Sequence, residues 1–501
     1  MQFQDALRAQ YFVRSLEIQL EEITRFFSGD LTFFLTRLCH QLDQILLPVI
    51  ATEIAQAKEL GFLTGNTPEE RYHSFFIQDD QFTKPAKDLP QKYPFLFTLL
   101  DQTIADTFTN LKQALIRARK ETFSNIASVD LITESDKHRG QQVLLFTFDD
   151  ETKRVYKPRD LMPEKLFNDF VSHLNLEPCY ALKAPHILPR SGYGWMEYVP
   201  HAPCQSQQDI SDFFRRAGVL LAVADTLNFS DGHYENIIAS GPYPTIIDGE
   251  TLFQNYNKKA LEEKSILSTG LIQKAHPNQK KMVYYSAFQM DQKELYHVLY
   301  PHTQNERTDL LEVHFRCFEK RRFHNLPFIG DQHFYAQDFC TEILEGLEYG
   351  YQQIHQNAHT ILSDERWWKT LSTTECRTIM NHTVNYAFLL RRIQQPDVCQ
   401  SKESAINLIK EKLKSTCYTS YEIEDLLAGN IPYFYHHPSQ SSVYSGDRKK
   451  YAAHFSETSI DQIKRNLHET PTKKIRQASN LVDSYLNTRK KAPKHEASPA
   501  A

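Results

Sequence analysis

The sequence predicts an α+β fold that is predominantly helical, and three observations carry that expectation. Residues 1–125 and much of 256–430 repeat apolar side chains with a helical period. Between those stretches, residues 141–157 and 186–199 read as β-hairpins, strands joined by turn residues. A third, short hairpin at 237–247 follows directly on a strongly periodic helical segment. With 501 residues, 41% of them hydrophobic, the chain can bury more than one core.

Taken in order, the first 130 residues read as a helical region. Two long amphipathic stretches are interrupted by GFLTGNTPEERYHSFF (61–76), and a helix is expected over about 95–122. The pattern changes near residue 130. Residues 141–148 (QQVLLFTF) read as a strand, Asp149-Asp150-Glu151-Thr152 as a turn, and 153–157 (KRVYK) as a second strand. A helix restarts over 161–174, with Pro163 in its first turn and Leu166, Phe167, Phe170, Val171 and Leu174 on one face. The hairpin at 186–199 closes a sheet-bearing region spanning 131–200.

Residues 207–227 repeat Ile210, Phe213, Phe214, Ala217, Leu220, Leu221, Ala224 and Leu227, a helical period opened by a capping box of Ser206 with Asp209. Ile237-Ile238-Ala239 and Thr245-Ile246-Ile247 then read as strands around the turn Ser240–Pro244. This second region, 201–430, ends at the breaker Leu427-Ala428-Gly429-Asn430-Ile431-Pro432. A loop rich in His, Ser and Tyr and C-terminal helices fill 431–490. The tail 491–501 (KAPKHEASPAA) has the composition of a disordered segment.

Composition narrows the function. The net charge of −5 gives no reason to expect nucleic acid or an anionic membrane as partner. Eight cysteines without a C-x-x-C pair argue against a zinc ribbon and against a disulfide scaffold. The N-terminus lacks a signal peptide, and no run of about 18 apolar residues occurs, so a soluble cytoplasmic protein without a transmembrane segment is expected.

The chemistry concentrates in SDGHYENIIASGPYPTIIDGETLFQN (230–255). Asp231, His233 and Asn236 fall on a loop after a helix, and a hairpin then ends in Asp248-Gly249-Glu250. ATP-dependent phosphoryl transfer needs these parts. A carboxylate (Asp231) holds the hydroxyl nucleophile, while an amide oxygen (Asn236) and a second carboxylate (Asp248) hold Mg²⁺ against phosphates. Lys157 ends a strand, where the phosphate-contacting lysine of a kinase lies, and Arg159 adds a second cation. The end of the 186–199 hairpin is the expected hinge, reading adenine through backbone groups. Residues 135–140 (SDKHRG) stand where a phosphate-covering loop is usual. Their Asp136 and His138 are acid/base groups for which a simple kinase has no use.

At this point the chain resembles a known family. VYKPRDLMPEKLFNDFVSHLN (155–175), DGHYENIIA (231–239) and TIIDGETLF (245–253) are similar to the dehydratase domain of class II lanthipeptide synthetases, the LanM family. Further similar blocks, in order, are NTPEERYHSFF, SDKHRGQQVLLFTF, NLPFIGD, EILEGLEYGYQQI and EIEDLLAGNIPYF, so the resemblance spans about residues 60–485. It implies an elaborated lipid-kinase-like fold with N-lobe β-hairpins, a helical C-lobe and large helical insertions. It also implies two steps on a precursor peptide: phosphorylation of Ser/Thr with ATP and Mg²⁺, then elimination to dehydroalanine or dehydrobutyrine. Carried over by position, Asp231 orients and deprotonates the hydroxyl. Asn236 and Asp248 bind Mg²⁺, and His233 and Glu250 support phosphorylation. Asp136, His138 and Lys157 fall in the group tied to elimination.

Two departures shape the expectation. The family pattern continues into a zinc cyclase, and this sequence carries no such Cys/His set, so a separate cyclase is an expected partner. The loop after GNIPYF reads PSQSSVYSG (438–446), with Gln440 where an arginine serving elimination is expected and no Thr before Thr458. An arginine expected after Arg377 is likewise Asn381. A neutral amide does not replace a guanidinium facing phosphate. Three readings therefore stand: a peptide dehydratase, a Ser/Thr peptide or protein kinase that has lost elimination, and an inactive peptide-binding scaffold.

Overall fold

The structure is a computed structural model, and it describes residues 6–78, 81–132, 136–272, 286–288, 299–317, 323–452 and 454–487. The tail 491–501 and Ser135 lie outside the described residues.

The chain folds as α+β, with long helices around small antiparallel sheets. Its main sheet has five strands in the order Ile126–Leu131, Leu144–Phe148, Lys153–Lys157, Tyr193–Glu197, Ile187–Arg190. Both hairpins expected from the sequence are therefore present, and Lys153–Lys157 is the central strand. The strand Ile126–Leu131 was not expected. Its pairing with Leu144–Phe148 is broken by an irregularity between Ile126 and Ser128, and a clean alternation is correspondingly absent. Conversely, Gln141 stands outside the strand, in a bridge to His138. Leu144, Phe146 and Phe148 point to one face, as the pleat requires. There Trp195 packs edge-on to Phe146 at 5.0 Å and beside Tyr156 at 5.1 Å.

The helices Thr32–Glu59 and Pro94–Ala118 cover that face. The interrupting segment carries a helix of its own, Pro68–Phe76, capped reciprocally by Thr67 and Glu70. Tyr386, Leu389, Ile409 and Leu426, from the helices that follow residue 380, bury themselves in the same core. This core thus gathers residues from Ala9 to Ile431.

A second core is built around the helix Gln207–Thr226. Ser206 Oγ accepts the Asp209 N–H at 3.2 Å, but the Asp209 carboxylate takes the Gln205 N–H at 2.7 Å, so only half of the expected capping box forms. This helix lies backbone-to-backbone on Cys340–Gln356. A Cβ added at Gly218 would meet Ile343 O at 2.1 Å, and one at Gly346 would meet Arg215 O at 1.9 Å. Only glycine permits that approach. Ile237–Ser240 and Tyr243–Ile246 form the expected hairpin.

The segment after residue 432 differs from expectation. Instead of a loop, Phe434–His436, Val443–Ser445 and Lys450–Tyr451 form a meander, completed by Cys376–Arg377 into a four-stranded sheet. Strands of two or three residues leave no periodic signal. Among the described residues no helix is long and apolar enough to cross a membrane.

Candidate active site

The loop after Gln207–Thr226 is held by the segment that follows the hairpin. Phe253 N–H donates to Leu227 O at 3.0 Å, Gln254 N–H to Asn228 O at 3.1 Å, and Ser230 N–H to Thr251 O at 3.2 Å. Asn228, Asp231 and Phe253 all take left-handed φ, at 54°, 65° and 61°. For non-glycine residues this is a costly backbone, and such strain clusters at functional sites. The Asp231 carbonyl accepts the His233 N–H and the Asn236 amide, each at 2.8 Å. With Nδ2 so engaged, Asn236 Oδ1 is left as the acceptor atom. The Ile247 N–H donates to Asn236 O at 2.9 Å, which puts Asn236 beside the backbone leading into Asp248. His233 Nδ1 accepts the Glu235 N–H at 3.2 Å, and its Nε2 lies 3.6 Å from Asp231 Oδ1. Asp231, His233 and Asn236 therefore form one group.

A chain of ion pairs runs from this mouth across the molecule. Lys157 Nζ donates to Ile247 O at 2.6 Å and lies 3.3 Å from Asp248 Oδ2. Arg159 donates to Asp248 Oδ1 at 2.6 Å, pairs with Glu164, and reaches Glu250 at 3.3 Å. Arg377 pairs with Glu250 on one side and reaches Asp136 at 3.4 Å on the other. Burial pushes the Asp248 carboxyl up, but Lys157, Arg159 and Arg377 outweigh it and hold it well below the usual carboxylate range. Burial also raises Glu250, and there it prevails over Arg377 and Arg159.

Asp136 and His138 belong to this cluster. Ile431 N–H donates to Lys137 O at 2.8 Å, Gly140 N–H donates to Asn430 Oδ1 at 2.9 Å, and buried Lys137 lies 3.0 Å from Asp106. The segment is therefore pinned to 430–431 and to the helix Pro94–Ala118, and presents Asp136 and His138 to Arg377. His138 Nδ1 lies 2.7 Å from Ile431 O. A carbonyl can only accept, so Nδ1 carries the proton and Nε2 is a bare lone pair. Burial, then Arg377, push the imidazole down to about 4, so it is neutral at neutral pH. Nε2 is buried without a hydrogen-bond partner, 3.9 Å from Asp136.

Sequence reasoning missed Arg377, which is 7% exposed. Its partners lie 127 and 241 positions away, so no local motif marks it. Arg139 was missed too; its guanidinium stacks over Tyr433 at 5.3 Å and donates to Gly446 O at 2.9 Å. The neutral residues in the expected arginine positions are engaged elsewhere. Gln440 Oε1 accepts the Tyr444 hydroxyl at 2.6 Å, and Asn381 accepts from Asn385 at 2.8 Å. The site therefore holds a guanidinium beside Asp136 despite Gln440.

The oxygen donors a divalent cation would use here are Asp248, held ionised, and Asn236 Oδ1, whose backbone lies beside the one leading into Asp248. Among the described residues no cluster of three or more His, Cys, Asp or Glu could hold a metal alone. Such a two-ligand arrangement suits an ion that takes its remaining ligands from phosphate and water. The link from sheet to helix also has open groups. Val199 is buried, yet neither its N–H nor its C=O has a partner among the described residues, while its neighbours Tyr198 and Ala202 are bonded to Lys153 and Ala239.

Comparison with known proteins places the chain. It is 26% identical over 430 residues to a lacticin 481/lactococcin biosynthesis protein of Lactococcus lactis subsp. lactis, a match covering 76% of this chain and 45% of that protein. The chain thus spans about half the length of this curated relative. A family model described as a domain of unknown function, DUF4135, matches residues 93–437, a span that contains Asp136, Lys157, Asp231, Asp248 and Arg377. On that match, over more than half its length, the chain belongs to the DUF4135 family.

Proposed function

We propose that this chain phosphorylates Ser and Thr of a ribosomal precursor peptide with ATP and Mg²⁺, then eliminates phosphate to leave dehydroalanine or dehydrobutyrine. The observation that carries this reading is the joining of two chemistries by Arg377. On one side, through Glu250, stand the transfer groups Arg159, Asp248 and Lys157; on the other stand the acid/base pair Asp136 and His138. A relative named for lacticin 481/lactococcin biosynthesis supports a peptide substrate. The kinase-like reading of the fold is supported by a five-stranded antiparallel sheet whose central strand ends at Lys157.

In this mechanism Asp231 accepts the proton of the peptide hydroxyl, with His233 beside it. Lys157 and Arg159 meet the nucleotide phosphates, and the open Val199 backbone groups meet the base. Asn236 and Asp248 would hold Mg²⁺, which would supply positive charge against the phosphates. In the second step the His138 lone pair removes the α-proton of the phosphorylated residue. The electron pair closes the Cα=Cβ bond as the Cβ–O bond breaks, and Arg377 meets the departing phosphate.

Gln440 favours the kinase-only reading; against it stands the Arg377 guanidinium beside Asp136. The scaffold reading conflicts with the retention of Asp231, Asn236 and Asp248. Labelling decides the matter: with γ-labelled ATP and a Ser/Thr-rich lanthipeptide precursor, label should pass through the peptide into inorganic phosphate. Label held permanently on the peptide would support the kinase reading, and no transfer would support the scaffold.

A further inference from the structure

Tyr433 opens the strand Phe434–His436, is 6% exposed, and plays no part in the mechanism above. Its backbone is tightly held: the Tyr421 hydroxyl lies 3.1 Å from its C=O and 3.3 Å from its N–H, and Gly446 N–H donates to the same carbonyl at 2.8 Å. Its own hydroxyl has no hydrogen-bond partner among the described residues. Unlike His138 Nε2, the phenol oxygen is not sealed from solvent, so it is open to an incoming group. The ring stands edge-on to His138 at 5.4 Å, with the Arg139 guanidinium over its face. The buried, unpartnered His138 lone pair and the open Tyr433 O–H thus sit on neighbouring rings. The hydroxyl is within Coulombic range of Glu250, Arg159 and Arg377. Burial, then Glu250, raise its pKa, so it stays protonated and can donate.

We propose that the Tyr433 hydroxyl donates a hydrogen bond to the peptide carbonyl oxygen that gains charge as the α-proton of a phosphorylated Ser or Thr is removed. The inference rests on the elimination reading above. His138 Nε2 takes the proton, and the electron pair spreads onto the adjacent carbonyl oxygen. It then returns to form Cα=Cβ while the Cβ–O bond breaks and phosphate leaves with that bond's electrons. Nothing is oxidised or reduced. Lys157, Arg159 and Arg377 already supply positive charge to the phosphate. The enolate oxygen, attached next to the carbon that loses its proton, needs a donor next to the base.

Tyr433→Phe keeps the ring against His138 and Arg139 and deletes only the donor. Two rates should be measured on the full chain: phosphorylation of a Ser/Thr-rich lanthipeptide precursor, with ATP and Mg²⁺, and elimination from the same peptide carrying phosphoserine, without ATP. The variant should lose about 10²–10³-fold in elimination, the usual cost of one donor to a developing oxyanion, at least 10-fold more than it loses in phosphorylation. Replacing Tyr433 with 3-fluorotyrosine should restore most of the elimination rate and move its alkaline limb to lower pH, which a packing role would not do. Equal loss of both rates with a lowered Tm, or unchanged elimination, would overturn the proposal. Should the wild-type chain perform neither reaction, the dehydratase reading itself fails and takes this inference with it.

Discussion

Lys157 and Arg159 divide the Asp248 carboxylate between them, Lys157 at 3.3 Å from Oδ2 and Arg159 at 2.6 Å from Oδ1. Two cations on one acid keep it ionised. Asp248→Asn keeps the shape and removes the charge. It should abolish phosphorylation of the peptide, read as loss of label transfer from ATP, with the fold retained by circular dichroism. Turnover within tenfold of wild type would mean that Asp248 is not the metal ligand.

Asp136 and His138 should separate the two steps. In Asp136→Ala or His138→Ala, phosphopeptide should accumulate, because elimination falls by about 10²–10⁴-fold when a general base is lost while transfer falls far less. Parallel loss of both steps would contradict the division of labour.

Arg377 and Gln440 make a paired test. Arg377→Gln leaves Glu250 and Asp136 without their shared cation, and should stop elimination and cost about 3–5 kcal/mol of stability, as breaking a buried pair does. Gln440→Arg should leave elimination within twofold of wild type, because that side chain bonds Tyr444 and lies outside the cluster. A large gain in elimination on Gln440→Arg would show that the sequence comparison, not the geometry, identifies the missing cation.

Stability should fall in mild acid. His138 and His436 are each pushed down to about 4, His436 by burial while its ring nitrogens meet Thr378 at 2.8 Å and Phe253 O at 3.0 Å. Both fold neutral, and the unfolded chain binds the extra protons, so their stabilisation is present above pH 6.5 and is lost as pH falls toward 4. Each contributes up to about 3 kcal/mol over that window. Denaturant unfolding at pH 7 and pH 5 should show the drop, and His436→Gln should shrink it.

The features legible in the sequence are those written locally. Gln207–Thr226 carries dense helical periodicity in a single window with a short hairpin after it, and Lys157 declares itself by ending a strand. The meander at 434–451 is set by pairing of Cys376–Arg377 with Phe434–His436, a contact between distant segments that no window contains. Arg377 and Tyr433 were invisible for the same reason: a guanidinium or phenol becomes part of a site only when partners over a hundred positions away fold onto it.

Intact-mass analysis of the peptide tests the central claim most directly. After incubation of the full chain with ATP, Mg²⁺ and a Ser/Thr-rich lanthipeptide precursor, the account predicts loss of one water for each modified Ser or Thr, preceded in early samples by gain of one phosphoryl group. A peptide whose mass never changes, with wild-type chain shown to be folded, would contradict it.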